Sequence, residues 1–367
     1  MAFTAERIVK ELVKEPKPLP PLKGVAFGSI FTDHMFIAEY KDKKWDSLKI
    51  CPFGNLNLPP QASIFHYGVG IFEGMKAFRD ANGKVRLFRP MKNCVRFAKS
   101  AERMSLPIPD PEELCKCIKE LLRVDDHWVP EERGYSLYIR PTMIGVTPSL
   151  GVKSCGDVLL YIILSPVGPY YPTGFKPVTL WACTEYCRAW PGGTGNSKVA
   201  PNYGITVMPG EVAHHKGAQQ VLWLFGEKQL ITEVGAMNLI GIWINKKGEK
   251  ELITATLEDG LILPGVTRDS ILELARQETD LKVTEGHWTM PELVEALAEG
   301  RVLEIFGTGT AAIITPVDKI IYQDKTIAVP ISKEDPAAQI GPYALKFLTK
   351  LQDIQYGVCD SEWSVLA

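Results

Sequence analysis

The sequence predicts a two-domain protein of mixed α/β, or α+β, class. Three observations carry this. The chain has 367 residues, 46% hydrophobic and 23% charged, enough for two full cores. Strand-patterned and helix-patterned segments are mixed rather than strictly alternating, which argues against a purely parallel βαβ sheet. One run rich in proline and glycine, residues 165–177, divides the chain at a change of composition. The expected division is an N-terminal extension over 1–24, a small N-terminal α/β domain over 25–167, a linker over 168–177 and a large C-terminal domain over 178–367. Ligand sites favour domain interfaces, so a ligand pocket is expected there.

Taken in order, residues 5–14 have the pattern of a short amphipathic helix. The proline-rich 16–21 reads as extended chain lying over the body or partly disordered. The first strand is read over 35–40, with strand material over 62–70 and 75–78. Asp80-Ala81-Asn82-Gly83 is a hairpin turn between 77–78 and 85–88. Pro90 opens a helix to about Met104, and Asp110 caps a second to about Val124. Two apolar strands follow, 135–144 and 158–164. In the second half, strands are expected over 178–187, 220–225, 229–233, 238–245 and 251–255. Helices are expected over 266–278, 290–299 and about 337–354, flanking a strand at 302–305 and a glycine-threonine turn at 307–310. There is no internal repeat.

The formal net charge of −2 argues against an electrostatic footprint for nucleic acid or an anionic membrane, and no run of 18 apolar residues exists. The eight cysteines show no C-x-x-C pair and read as reduced, mostly packing residues of a reducing compartment. The six histidines form no metal-binding set, so no metal is expected. The N-terminus lacks a signal-peptide core, and Glu6, Glu11 and Glu15 count against a mitochondrial presequence. A cytoplasmic location is expected; a mature mitochondrial form with its presequence removed would look much the same.

The chain is organised around Arg188-Ala189-Trp190-Pro191-Gly192-Gly193-Thr194-Gly195-Asn196-Ser197-Lys198, followed by Val199-Ala200-Pro201-Asn202-Tyr203. Three glycines and a proline make an irregular loop just after a strand, and helix follows it. Lys198 has three readings: a solvated surface lysine, a phosphate-loop lysine, or a Schiff-base lysine. The phosphate loop needs G-x-x-x-x-G-K-[ST], which this run lacks. A Schiff-base lysine needs an amine of lowered pKa in a site that excludes water, and Trp190, Pro191 and Tyr203 are candidate walls. Composition does not decide among them.

The run R-A-W-P-G-G-x-G-N-x-K-x-x-x-N-Y resembles the cofactor-lysine segment of branched-chain-amino-acid aminotransferases, which are fold-type IV pyridoxal-phosphate enzymes. The resemblance extends from Phe27 to about Gly357 through Phe31-Thr32-Asp33-His34-Met35, Phe72-Glu73-Gly74-Met75-Lys76, Ser136-Leu137-Tyr138-Ile139-Arg140-Pro141, Leu230-Ile231-Thr232-Glu233-Val234-Gly235, Leu263-Pro264-Gly265-Val266-Thr267-Arg268, Phe306-Gly307-Thr308-Gly309-Thr310-Ala311-Ala312 and Asp353-Ile354-Gln355-Tyr356-Gly357. The eukaryotic type is the nearest in pattern. The resemblance implies a two-domain, D-amino-acid aminotransferase-like fold whose C-terminal domain binds pyridoxal 5'-phosphate. It implies amino transfer between L-leucine, L-isoleucine or L-valine and 2-oxoglutarate by a ping-pong route, in a homodimer acting on small molecules.

By the same resemblance, Lys198 forms the Schiff base and then moves the proton. Glu233 keeps the pyridine nitrogen protonated, Tyr203 meets the ring's phenolic oxygen, and Leu263 packs on the ring face. Arg188 lies near the cofactor. The phosphate is held by Arg96, Val266, Thr267 and Thr310. Thr267 is a plausible N-cap, and 307–310 a plausible anion-cradling turn. The resemblance assigns Phe27, Tyr67, Phe72, Tyr138, Val152 and Tyr170 to the substrate side-chain pocket, Arg140 to the distal carboxylate of glutamate, and the backbone at Thr310 and Ala311 to the α-carboxylate. Two departures stand out. Ala236 replaces a threonine common in eukaryotic relatives and removes a hydroxyl near substrate. The redox C-x-x-C of mammalian relatives is replaced by Ala312 and Thr315. The rival expectations are another fold-type IV enzyme, such as a D-amino-acid aminotransferase or aminodeoxychorismate lyase, and a non-catalytic descendant. An oxidoreductase reading lacks a G-x-G-x-x-G between strand and helix.

Overall fold

A computed structural model describes residues 2–169, 176–332, 335 and 337–367. Tyr170 and most of the expected linker therefore lie outside the described residues. The chain forms two compact units. The first holds Met1–Pro172, Ser197–Pro201 and Gln352–Ala367; the second holds Thr173–Asn196 and Asn202–Leu351.

In the first unit the elements are β1 (Val9–Lys10), β2 (His34–Lys41), β3 (Lys44–Pro52), α1 (Ser63–Tyr67), β4 (Gly70–Phe72), β5 (Met75–Arg79), β6 (Val85–Phe88), α2 (Pro90–Arg103), α3 (Pro111–Val124), β7 (Ser136–Gly145) and β8 (Val158–Val167). The later elements are β9 (Val178–Cys183), α4 (Pro201–Gly204), α5 (Val207–His215), β10 (Gln220–Phe225), β11 (Leu230–Val234), β12 (Met237–Ile244), β13 (Lys250–Thr254), α6 (Val266–Ala275), β14 (Lys282–Glu285), α7 (Met290–Ala298), β15 (Val302–Gly309), β16 (Ile313–Tyr322), β17 (Lys325–Ala328), α8 (Pro342–Gln355) and β18 (Ser364–Leu366).

Among the described residues the first sheet runs β1-β3-β2-β8-β7-β5-β6-β18, with β4 also on β7; all pairings but β1–β3 are antiparallel. One face carries Phe36, Ala38, Leu137, Ile139, Leu160 and Ile162, and it packs with Phe97 of α2 and Leu114, Ile118 and Leu121 of α3. Side chains alternate along a strand, so Tyr138 and Arg140 of β7 point to the opposite face from Leu137 and Ile139. The second sheet runs β11-β10-β9-β16-β15-β12-β13-β14 with β17 on β16, and it mixes parallel and antiparallel pairs. Leu180, Leu222, Leu239, Ile305 and Ile320 form its core with Leu293 and Ala296 of α7.

Several expectations need correction. The amphipathic pattern over 5–14 is not a helix: Ala5–Arg7 is a single 3-10 turn, and β1 then adds to the edge of β3, pairing Val9 with Lys49 and Lys10 with Ile50. A lone ten-residue helix is marginal in water, whereas an open strand edge offers ready backbone partners. Residues 62–70 contain helix α1, ended by Gly68 in the left-handed region, whose N–H meets the Ile64 carbonyl. The strand expected over 178–187 stops at Cys183. Helix α6 has Gly265, not Thr267, at its N-cap. Gly307 to Gly309 belong to β15 and pair with β16, so the expected 307–310 turn begins only at Thr310.

Candidate active site

In the first unit Lys198 is pinned through its backbone. Val199 bridges Ile71, the Phe72 N–H donates to the Lys198 carbonyl at 3.1 Å, and the Ala200 N–H donates to the Gly70 carbonyl at 2.9 Å. On the other side the Lys198 N–H donates to Ser100 Oγ at 2.9 Å. The Lys198 Nζ stands 4.9 Å from the Phe72 ring centroid. Burial lowers this amine to about 8. The Arg96 and Arg140 charges push the same way, while Glu73 and Tyr138 oppose them. The desolvated amine sets aside the reading of Lys198 as a solvated surface lysine.

Arg96 is buried on α2, and its guanidinium grips Glu73 from two nitrogens: Nε to Oε1 at 2.7 Å and Nη2 to Oε2 at 2.8 Å. Asn93 Nδ2 adds a bond to Glu73 Oε2 at 2.8 Å. Burial alone would raise the Glu73 carboxyl, but the Arg96 charge and hydrogen bond, Lys198 and Asn93 outweigh it and hold it below the usual range. Asn93, Arg96 and Ser100 recur at helical spacing beside the apolar stripe of Cys94, Phe97 and Ala101, and all are buried. That polar stripe was readable in the sequence, yet only Arg96 was singled out from it. Glu73 had been noted inside a motif without a role.

Tyr138 and Arg140 share the sheet face opposite the core. Arg140 Nη2 donates to Tyr138 Oη at 2.9 Å, and its guanidinium lies 4.8 Å from the Phe72 ring centroid and 5.1 Å from that of Tyr138. Phe27 meets the Tyr138 ring edge-on at 4.9 Å between centroids. A Cβ on Gly74 would stand 2.0 Å from Tyr138 Oη, so only glycine admits this tyrosine. Lys76, opposite Tyr138 in the β5–β7 register, is also lowered to about 8 by burial. Tyr67 ends α1 and donates to the Leu150 carbonyl. Val152 is 82% exposed, so within its own chain it is not buried against Phe72, Tyr138 and Arg140.

In the second unit Glu233 lies at the end of β11. Gly235 and Ala236 form the two-residue loop to β12, and Gly235 takes the positive φ of 54° that such a hairpin needs at its first loop position. This register sets Glu233 opposite Asn238. Asn238 Nδ2 donates to Glu233 Oε1 at 3.1 Å and to the Leu263 carbonyl at 2.9 Å, while the Leu263 N–H donates to Oε1 at 2.8 Å. Arg188 Nη2 meets Oε2 at 2.8 Å. Glu233, Asn238, Arg188 and Leu263 are all buried. Asn238 was missed in the sequence, because its place opposite Glu233 follows from the hairpin register. Gly265 leads into α6, where a Cβ would stand 2.0 Å from Asn238 Oδ1. No side chain caps α6, so Val266 and Thr267 stand in a first turn whose N–H groups suit an anion. Thr267 Oγ1 donates to the Gly309 carbonyl at 3.3 Å. Thr310 and Ala311 follow the end of β15 and are half-buried. Tyr203 is half-buried in α4, and the loop before it is tied by Asn202, which bonds the Thr194 carbonyl at 2.7 Å. Ala236 is exposed.

Each unit by itself offers groups that suit pyridoxal 5'-phosphate: the first an amine of lowered pKa for its aldehyde, the second a buried carboxylate for its ring nitrogen and a helix start, with glycine at the N-cap, for its phosphate.

The amino-transferase class IV family model matches residues 70–320. The mitochondrial branched-chain-amino-acid aminotransferase of Schizosaccharomyces pombe is 50% identical over 360 residues, covering 97% of this chain and 83% of that one. The cytosolic enzyme of Mus musculus is 49% identical over 362 residues, covering 97% and 92%. Among solved structures, the branched-chain amino acid aminotransferase from Thermobaculum terrenum in its PLP-form superposes with a TM-score of 0.72 at 20% identity, over 92% of this chain and 98% of that one. At that identity the likeness speaks for the fold, which is the mixed α/β fold of type IV aminotransferases. The chain belongs to the class IV aminotransferases and, within them, to the branched-chain-amino-acid aminotransferase family.

Proposed function

We propose that this chain transfers the amino group of L-leucine, L-isoleucine or L-valine to 2-oxoglutarate and back, in two half-reactions, with pyridoxal 5'-phosphate as cofactor. The observation that carries the reading is Lys198: its backbone is held on both sides, and its amine is lowered to about 8 beside Phe72, Arg96 and Glu73. When bound, the cofactor supplies an electron-accepting ring that stabilises negative charge at the substrate Cα. With the cofactor bound, the Lys198 amine would carry the proton that leaves the substrate Cα. Glu233 holds a proton on the ring nitrogen, with Arg188, Asn238 and the Leu263 N–H fixing its carboxylate. Tyr203 orients the phenolic oxygen, and Leu263 covers the ring. The first-turn amides of α6 at Val266 and Thr267 hold the phosphate with Thr310, and Arg96 adds positive charge. Phe27, Phe72 and Tyr138 exclude water from an apolar side chain, and Arg140 receives the distal carboxylate of glutamate. Thr310 and Ala311 hold the α-carboxylate. Tyr67, Tyr170 and Ala236 complete the proposed substrate contacts.

We further propose a homodimer. Phe65, Leu150 and Val152 are 60%, 66% and 82% exposed apolar side chains, which a second copy would cover. No described helix is long and apolar enough to cross a membrane. A cytoplasmic location is proposed, the relatives including both cytosolic and mitochondrial enzymes.

The test is the absorbance of the purified protein with pyridoxal 5'-phosphate, before and after L-leucine. A near-visible band that moves to shorter wavelength with L-leucine, and is lost in Lys198→Ala along with turnover, is expected. A band that moves with D-alanine but not with L-leucine would favour the D-amino-acid reading.

A further inference from the structure

Glu73 belongs to none of the roles above, yet it is fully buried and meets donors on both carboxylate oxygens. Its partner Arg96 stands one helical turn before Ser100 on α2. Ser100 Oγ donates to the Arg96 carbonyl at 3.0 Å and accepts the Lys198 N–H at 2.9 Å. Glu73 itself directly follows Phe72, whose N–H holds the Lys198 carbonyl. One carboxylate thus grips the helix that bonds one side of the Lys198 peptide, and it adjoins the strand that bonds the other. We propose that Glu73 is a positioning residue: it locks Arg96 and the Ser100 turn of α2, and thereby sets both the place and the charge balance of Lys198. This rests on the reading of Lys198 as the reactive lysine.

The charge argument has a definite sign. The groups acting on the Lys198 amine are Arg96 on α2, Tyr138 and Arg140 on β7, and Glu73 between β4 and β5; Lys76 on β5 stands opposite Tyr138 in the register. Burial, Arg96 and Arg140 disfavour the ammonium form, and Glu73 favours it. Removing the Glu73 charge leaves Arg96 uncompensated and makes Lys198 easier to deprotonate. Removing both charges largely cancels.

The test is competitive acetylation of Lys198 in the full-length chain with acetic anhydride from pH 6 to 10, read by peptide mass spectrometry. This readout needs neither cofactor nor turnover. In Glu73→Gln the midpoint is expected to fall by about one pH unit. In Glu73→Gln/Arg96→Gln it returns towards wild type, and in Glu73→Asp it falls less than in Glu73→Gln. A folded Glu73→Gln chain with an unmoved midpoint overturns the proposal. Should Glu73→Gln fail to fold, Ser100→Ala tests the same link. Faster hydrogen exchange at the Lys198 amide, with kcat down about 10-fold at unchanged KM, is expected; unchanged exchange and kcat overturn it. Absence of transamination by the wild type would instead refute the proposed activity and leave the labelling result readable.

Discussion

The two units each bury a glutamate against an arginine, and the two pairs are built differently. In the first unit Arg96 grips Glu73 through both carboxylate oxygens, in the fork geometry that fixes both partners. In the second, Arg188 meets Glu233 through Oε2, while the Leu263 N–H and Asn238 hold Oε1. The Glu73 carboxylate of the first pair also feels the Lys198 charge, and Lys198 in turn feels Arg140. The second is set among neutral donors from the β11–β12 hairpin and the approach to α6. The difference teaches that charge balance governs the first group and fixed dipoles the second. A buried pair is weak evidence for stability, because desolvation offsets the Coulomb gain; its use here is to hold one ionic state in one place.

Glu233→Gln breaks the comparison at its most sensitive point. It keeps the shape but removes the charge proposed to favour a protonated ring nitrogen. The leucine half-reaction, followed by stopped-flow absorbance, is expected to slow about 100-fold or more while cofactor affinity changes far less. An unchanged half-reaction would remove the role given to Glu233. The same substitution leaves Arg188 buried without its charge partner, at a cost of about 3–5 kcal/mol in denaturant unfolding.

Arg140→Ala trims the first group at its substrate side. The KM for glutamate is expected to rise about 10-fold or more through the lost charged contact, with leucine affected less. Equal losses for both substrates would mean that Arg140 serves only to brace Phe72 and Tyr138, which its guanidinium covers.

Ala236→Thr sharpens the second group by the smallest step. The position is exposed in a hairpin loop whose positive φ falls on Gly235, so threonine brings no backbone strain. A change within about 3-fold in kcat/KM for leucine is expected. A larger gain, measured in steady state, would show that the hydroxyl contributes to the substrate contact.

Much of the element order was legible because it rests on local chemistry. Asp110 caps α3 by accepting the Glu112 and Glu113 N–H groups, Pro90 opens α2, and the run 80–83 turns β5 into β6. Two hairpins missed in the sequence share a cause. The β2–β3 hairpin turns on Asp42 and Lys43, with φ of 49° and 59°, and the β16–β17 hairpin turns on Gln323 and Asp324 with the same two values. Neither turn contains glycine, so neither carried the usual hairpin signal. β14 and β18 are short, four and three residues, and form only as additions to existing sheet edges.

The sequence by itself determined the family and supplied the proposed lysine and carboxylate, because those depend on residue type at fixed spacing: Lys198 after its glycine-rich run, and Glu233 before Val234-Gly235. It also determined the local caps and turns, which are satisfied within a few residues. Only the tertiary structure decided what each charged group faces. Glu73 and Arg96 lie 23 positions apart, and Ser100 and Lys198 lie 98 apart. Asn238 and Leu263 are brought together by a hairpin register and a loop. A buried charge must find its partner wherever the fold supplies one, since an unpartnered one is too costly to keep. That choice is made by packing across the chain, and no local pattern records it.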